Sequence, residues 1–338
     1  MTVARPTATS SDLPGPASPS PVKRNKIKTG EGRLALFLVA PTVILLTLVV
    51  GYPIVKGIYQ SFQSEPGLDP ATGFFSNTTH WVGLANYKHW LLQQCPVPGG
   101  GTATCPSGTL GSQFWSSLEV TIFFTVVTVS IETVIGMAFA LVMNRAFKGR
   151  GLVRAAILVP WAIPTAVTSK LWIVIFDPQG VLNKTLGLHT QWTSSQWPAR
   201  LAIVIADVWK TTPFIALLIL AGLQGISADL YESARVDGAN AWQRFTKITL
   251  PLVKPALAVA VIFRTLDVLR MYDLPWILTQ GSNGTTTISI LVVKQLNVGL
   301  NSASALSTIT FIVIFAIALG MVRLFNANII GAQAKGAK

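Results

Sequence analysis

The chain has 338 residues, 51% of them hydrophobic and only 12% charged, and 26 Lys and Arg against 13 Asp and Glu leave a formal net charge of +13. Soluble domains average about 25% charge, so an ordinary water-soluble fold is excluded. A basic excess in so apolar a chain fits an anionic membrane surface better than nucleic acid. Two cysteines exclude a disulfide-dense secreted scaffold and argue against a Cys-rich zinc site.

Residues 1–33 are rich in Pro, Ser, Thr and Ala and end in the basic run Lys23, Arg24, Lys26, Lys28 and Arg33. Such a segment cannot bury a core and is expected to be disordered. The apolar run that follows, 34–55, is about 22 residues long. That exceeds the apolar core of a removable signal and suffices to cross a hydrocarbon layer of about 30 Å. The same length test places five more spans at 114–143, 152–176, 201–223, 256–279 and 303–325. The expected fold is an all-α integral membrane protein of six transmembrane helices over 34–325. A loop at 64–113 is expected outside, a polar loop at 224–255 inside, and a short tail at 326–338.

With the amino terminus inside, seventeen of the 26 basic residues fall on inner segments and four on outer ones. This bias predicts that both termini are cytoplasmic and explains the net charge without nucleic acid. Cys95 and Cys105 share the outer loop and flank Pro98 to Gly101. Outside the membrane they can form a disulfide closing a short turn; two unpaired thiols are the alternative.

The polar loop carries the most informative segment. Leu230 to Val236 reads as a short helix that Asp229 is placed to cap, and Gly238 permits positive φ. A second helix follows, with Trp242, Phe245 and Ile248 at spacings of three, and Pro251 and Pro255 are expected to re-aim the chain into the fifth span. The physical expectation is a rigid amphipathic elbow for a partner protein. A DNA-reading helix-turn-helix is a poor fit, since no second basic helix is present.

Here the pattern Glu232-x-Ala234-x-x-Asp237-Gly238-Ala239, followed by Phe245, Ile248, Leu250 and Pro251, resembles the signature loop of permease subunits in binding-protein-dependent ABC importers. It is similar to the carbohydrate-uptake branch, of maltose and trehalose type. The stretches Asp207 to Phe214, Leu220 to Gln224, Arg264 to Asp267, Leu158 to Pro164 and Gly180-x-Leu182-Asn183 resemble other parts of that branch. Ser233 stands where a second Ala is commoner, and the 281–284 turn departs from the glycine-rich stretch of many relatives. The resemblance implies the type I importer permease fold and a coupling contact to a separate ATPase through Glu232, Ala234, Asp237, Gly238 and Ala239. It also implies the partners: a second homologous permease, two ATPase copies carrying ATP and Mg, and an extracytoplasmic binding protein or lipoprotein. This chain would bind no cofactor, and its only P-loop-like run, Gly331 to Lys338, lacks the required Lys-Ser/Thr and a following helix.

Ionised side chains in a span are costly, and Glu132, Lys170, Asp207, Lys210, Arg264, Asp267 and Arg270 lie in or near the expected spans. At about 100° per residue, Asp207, Thr211, Phe214 and Leu218 form one stripe, with Lys210 beside it; Arg264, Asp267, Val268 and Met271 form another. Their mixture of charge and apolar bulk suits a sugar, and the resemblance places substrate contacts at matching positions. A purely structural set of salt bridges is the alternative, and Trp209 and Tyr272 read as packing or interfacial anchors. Glu119 and Glu132 project about 220° apart on one helix and cannot act as a carboxylate pair. His80, His89 and His189 lie in outer loops, and no catalytic or metal-ligand set emerges. The expected function is uptake of a disaccharide such as trehalose or maltose. The rivals are a glycerol-phosphate permease and a proton-coupled secondary carrier, although the internal repeats common in the latter are not evident.

Overall fold

The computed structural model describes residues 29–68, 74–76, 78–97 and 101–336. The disorder expected of the amino-terminal segment falls mostly outside the described residues, and helix already begins at Thr29. The chain divides into two units, 1–55 and 56–338.

In the first unit, α1 (Thr29–Leu46) passes through a π-helical turn at Thr47–Gly51 into the start of α2 (Tyr52–Gln60), whose last residues, from Lys56 on, belong to the second unit. Leu36–Gln60 is long and apolar enough to cross a membrane.

The second unit starts with a small module where an outer loop was expected. It comprises the paired strands β1 (Gly67–Leu68) and β2 (Phe75–Ser76), α3 (Ala85–Leu91), and the paired strands β3 (Gln94–Pro96) and β4 (Thr102–Thr104). A disulfide joins Cys95 to Cys105 across this second hairpin. The long helix α4 (Phe114–Asn144) follows, then α5 (Arg150–Ala162), α6 (Thr165–Ile175), α7 (Val181–Leu186) and α8 (Gln196–Gln224). The chain continues through α9 (Ala228–Val236), α10 (Ala241–Arg244), a π turn at Phe245–Thr249 and α11 (Leu250–Val268). It ends with α12 (Asp273–Thr279), α13 (Ile288–Leu296) and α14 (Leu300–Gly336).

Among the described residues, five helices are long and apolar enough to cross a membrane, and the α5–α6 pair makes a sixth crossing if taken as one span. Two of the expected spans differ in detail. The third is broken, not straight: α5 and α6 meet at 95°. Pro164 has no N–H to donate and holds Ile163 in extended backbone, at φ −78° and ψ 131°, as a residue before proline prefers. The fifth is shifted toward the amino terminus, with its helix running over Ala241–Val268. Pro251 lies just after the π turn at Phe245–Thr249, and Pro255 lies inside α11. Neither proline redirects the chain. The helix instead stops after Val268, and 269–272 lead into α12. The expected tail is helical as far as Gly336.

Lipid tails are as apolar as the side chains, so close packing rather than exclusion from water must join these helices. Gly136 and Ala140 form a small-x-x-x-small pair on α4, facing Ile215, Ala216 and Ile219 of α8. A Cβ at Gly136 would lie 2.8 Å from Ile215. Between α8 and α11 the approach is tighter, since a Cβ at Gly222 would lie 2.5 Å from the Ala256 Cβ. At the opposite end of the unit, the Trp90 indole donates to the Ser302 carbonyl at 3.0 Å. Trp90 packs there with Phe114, Ile288, Leu291 and Leu306, so α3 is fastened to the start of α14.

Candidate functional site

Two regions carry the residues that the sequence singles out. The first is a cavity of about 290 Å³ among α5, α6, α8, α11 and the start of α12. Asp207, Lys210, Thr211, Arg264, Asp267 and Met271 line it, together with Trp161, Thr165, Arg270, Tyr272, Asp273 and Leu274. Phe214 and Val268 do not. Phe214 stacks on Trp161, ring centroids 6.0 Å apart, and Val268 is buried in the apolar core with Phe124 and Leu274. Trp209 stands edge-on to Trp172, a packing position. Tyr272, expected only as an anchor, is a cavity wall.

Arg264 is the hub. Its Nε donates to Glu132 Oε2 at 2.7 Å and its Nη2 to Glu132 Oε1 at 3.0 Å. The same guanidinium also pairs with Asp207 and Asp267. A planar five-donor fork is the side chain able to hold three carboxylates at once. The three differ in exposure: Glu132 is fully buried, the Asp207 side chain is 7% exposed, and that of Asp267 is 71% exposed. Thr211 donates from its hydroxyl to Glu132 Oε1 at 2.5 Å. Lys210 reaches in a different direction, to the Ile163 carbonyl at 2.8 Å. That carbonyl sits at the C-terminal end of α5, where intrahelical donors have run out, so the break in the third crossing is closed by a cation from α8.

Glu132 was not singled out as a site residue from sequence. Its separation in angle from Glu119 is real, but its partner is Arg264, 132 residues later. No local pattern records such a pair. The available signal was the cost of a carboxylate deep in an apolar helix, which demands a partner.

The second region is the elbow. Ser227, not Asp229, occupies the N-cap of α9, and Asp229 lies in the first turn, where a carboxylate favours the positive end of the helix dipole. Gly238 adopts φ +78°, and a Cβ placed there would meet nothing within 4 Å, so glycine is required by backbone conformation rather than space. Asn240 then caps α10 in a reciprocal capping box with Gln243, a feature of Asn240-x-x-Gln243 that the sequence states plainly. The Arg244 guanidinium donates to the Ala239 carbonyl at 2.6 Å, bracing the turn. Trp242 and Phe245 lie side by side, ring centroids 5.7 Å apart. Glu232, Asp237 and Gly238 are exposed, while Ala234 and Ala239 are half-buried. The elbow thus presents two acids beside small residues, on a turn fixed by its own hydrogen bonds.

Neither region holds a nucleophile aligned with a base among the described residues. His89, Cys95 and Cys105 do cluster within 4.8 Å, but the disulfide consumes both sulfurs, which leaves no thiolate for a metal. What the cavity can do is form charge-assisted hydrogen bonds to a polar solute beside aromatic faces.

Residues 132–331 match the family described as binding-protein-dependent transport system inner membrane component. The chain is 40% identical to the trehalose transport system permease protein SugA of Mycobacterium tuberculosis, over 93% of this chain and 95% of that protein. It is 38% identical to the trehalose/maltose transport system permease protein MalF of Thermococcus litoralis, over 86% of this chain and 93% of that protein. A crystal structure of a bacterial ABC transporter involved in import of the acidic polysaccharide alginate shares the fold, with a TM-score of 0.72 and 21% identity over 88% of this chain and 96% of the other. By these matches the chain is a multi-pass membrane permease subunit and belongs to the binding-protein-dependent transport system inner membrane component family.

Proposed function

We propose that the chain is the permease of an ATP-driven importer of a disaccharide, trehalose first, that works by alternating access with both termini cytoplasmic. The observation that carries the substrate class is the Arg264 cluster opening on a cavity with both acidic and basic walls. Hydroxyls can donate to Asp267 and accept from Lys210 or Arg270, and the Trp161 and Tyr272 rings offer faces to sugar C–H groups. Three carboxylates around one arginine argue against a purely anionic cargo such as glycerol phosphate. The permease names of the relatives support the sugar assignment.

Energy would come from elsewhere. The elbow residues Glu232, Ala234, Asp237, Gly238 and Ala239 would seat in a groove of a separate ATPase, present in two copies and holding ATP and Mg. Closure of the ATPase pair would move the elbow as one body and, through the helix continuous from Ala241 to Val268, tilt the wall that carries Arg264 and Asp267. A second permease would complete the path and an extracytoplasmic binding protein would deliver the sugar. The chain's contribution is a two-state geometry, not bond chemistry.

The test is uptake of labelled trehalose by cells carrying the whole transporter. Asp267→Asn, at the exposed carboxylate of the cluster, should lower uptake while the complex still assembles. Normal uptake by this variant would remove the cavity from the transport path. Sensitivity to vanadate separates an ATP-driven importer from a gradient-driven carrier, which would ignore it.

A further inference from the structure

A second, larger hollow lies at the elbow end of the bundle, about 840 Å³ in volume, between α4, α11 and the elbow. Its walls change character along its length. Deep in the span, Val134, Met137 and Leu141 of α4 form an apolar side, and Val134 is 71% exposed. At the mouth stand Arg145, Arg235 and Arg244, and no acidic residue lines the space. The ion pairs found among the described residues all belong to Arg264, so none of these three guanidinium groups has a carboxylate partner. Arg244 spends one N–H on the Ala239 carbonyl, leaving its other donors available.

At 1.5 Å per residue, the helix rises about 16 Å between Val134 and the level of Arg145. The apolar wall therefore lies well inside the hydrocarbon layer and the cations at its edge. A soluble partner cannot reach Val134. An anion with an apolar tail fits both ends.

We propose that this groove holds one anionic phospholipid, its phosphodiester on Arg145, Arg235 and Arg244 and an acyl chain along Val134, Met137 and Leu141. Basic pockets at the membrane edge select anionic headgroups in this way, and arginine is the cation suited to a phosphate. Two of the three arginines belong to the elbow segment, so the bound headgroup would steady the elbow against α4. The inference rests on the membrane-spanning bundle and is independent of the sugar assignment.

The experiment uses the assembled transporter, equilibrated in vesicles of phosphatidylcholine and phosphatidylglycerol, extracted in mild detergent and assayed for retained lipid by mass spectrometry. The expected result is retention of phosphatidylglycerol over phosphatidylcholine by about tenfold, falling to parity in the triple variant Arg145→Gln, Arg235→Gln, Arg244→Gln. Val134→Trp keeps every charge and fills the deep end, so it tests the site even if the triple variant fails to assemble; it should also lose the retained lipid. Equal retention of both lipids by the wild type would overturn the proposal, as would undiminished phosphatidylglycerol in Val134→Trp. A cross-link from Val134→Cys to the second permease would overturn it too, by showing a protein helix in the groove.

Discussion

The Arg264 cavity and the elbow are both built around charge, yet they are held in opposite ways. Arg264 is tied to Glu132 on α4 and Asp207 on α8, partners 132 and 57 residues away in sequence. The elbow is tied to itself, by Asn240 with Gln243 and by Arg244 with Ala239, over three and five residues. One is a long-range knot that closes only when three helices are in place. The other is a preformed local shape attached to a helix that continues into the membrane. The contrast teaches that damage to the knot should act on the whole bundle, and damage to the elbow mainly on communication.

The sharpest way to break this comparison is Arg264→Ala. It strands a fully buried Glu132 and a nearly buried Asp207, and removing one member of a buried charge set costs about 3–5 kcal/mol. The variant should fail to accumulate as a folded subunit, read as membrane abundance and thermal unfolding in detergent. Gly222→Leu comes next, since the 2.5 Å approach to Ala256 leaves no room. Overpacking there should cost about 1–3 kcal/mol and lower the melting temperature without touching the cavity.

A smaller stability effect is expected at Gly238. Substitution by Val forces a branched side chain into the left-handed region, at roughly 1–2 kcal/mol, with no clash. Its larger consequence should be functional: ATP hydrolysis no longer drives uptake, or the ATPase no longer co-purifies. Asp267→Asn should disturb stability least, because the Asp267 side chain is 71% exposed and an exposed pair is worth about 0–1 kcal/mol. Trehalose uptake should nevertheless fall. If Asp267→Asn unfolds the bundle as Arg264→Ala does, the distinction between the inner and outer carboxylates fails.

The same contrast explains what could be read from the chain. The elbow was legible because Gly238 and the acid-small pattern act over a few positions, although its helices are capped by Ser227 and Asn240 rather than by Asp229. Five crossings, and the bent α5–α6 pair that makes a sixth if taken as one span, were legible from apolar length. The break at Ile163–Pro164 was not, because proline inside apolar helices is often tolerated, as Pro213 shows within α8. At Pro164 the break leaves the Ile163 carbonyl without a helical donor, and Lys210, 47 residues away, satisfies it. The stripes on α8 and α11 place Asp207, Lys210, Thr211, Arg264, Asp267 and Met271 on the walls of one cavity. Phe214, on the edge of its stripe, and Val268, the last residue of α11, lie off those walls, Val268 packed in the core. Glu132 needed the third dimension.

Reconstitution in vesicles tests the central claim that this permease moves solute only as a lever worked by a separate ATPase. The chain, reconstituted with the proposed second permease and binding protein, should accumulate labelled trehalose only when the proposed ATPase and ATP are added, and Gly238→Val should abolish uptake. Accumulation by the permeases with no ATPase present, unchanged in Gly238→Val, would contradict the account.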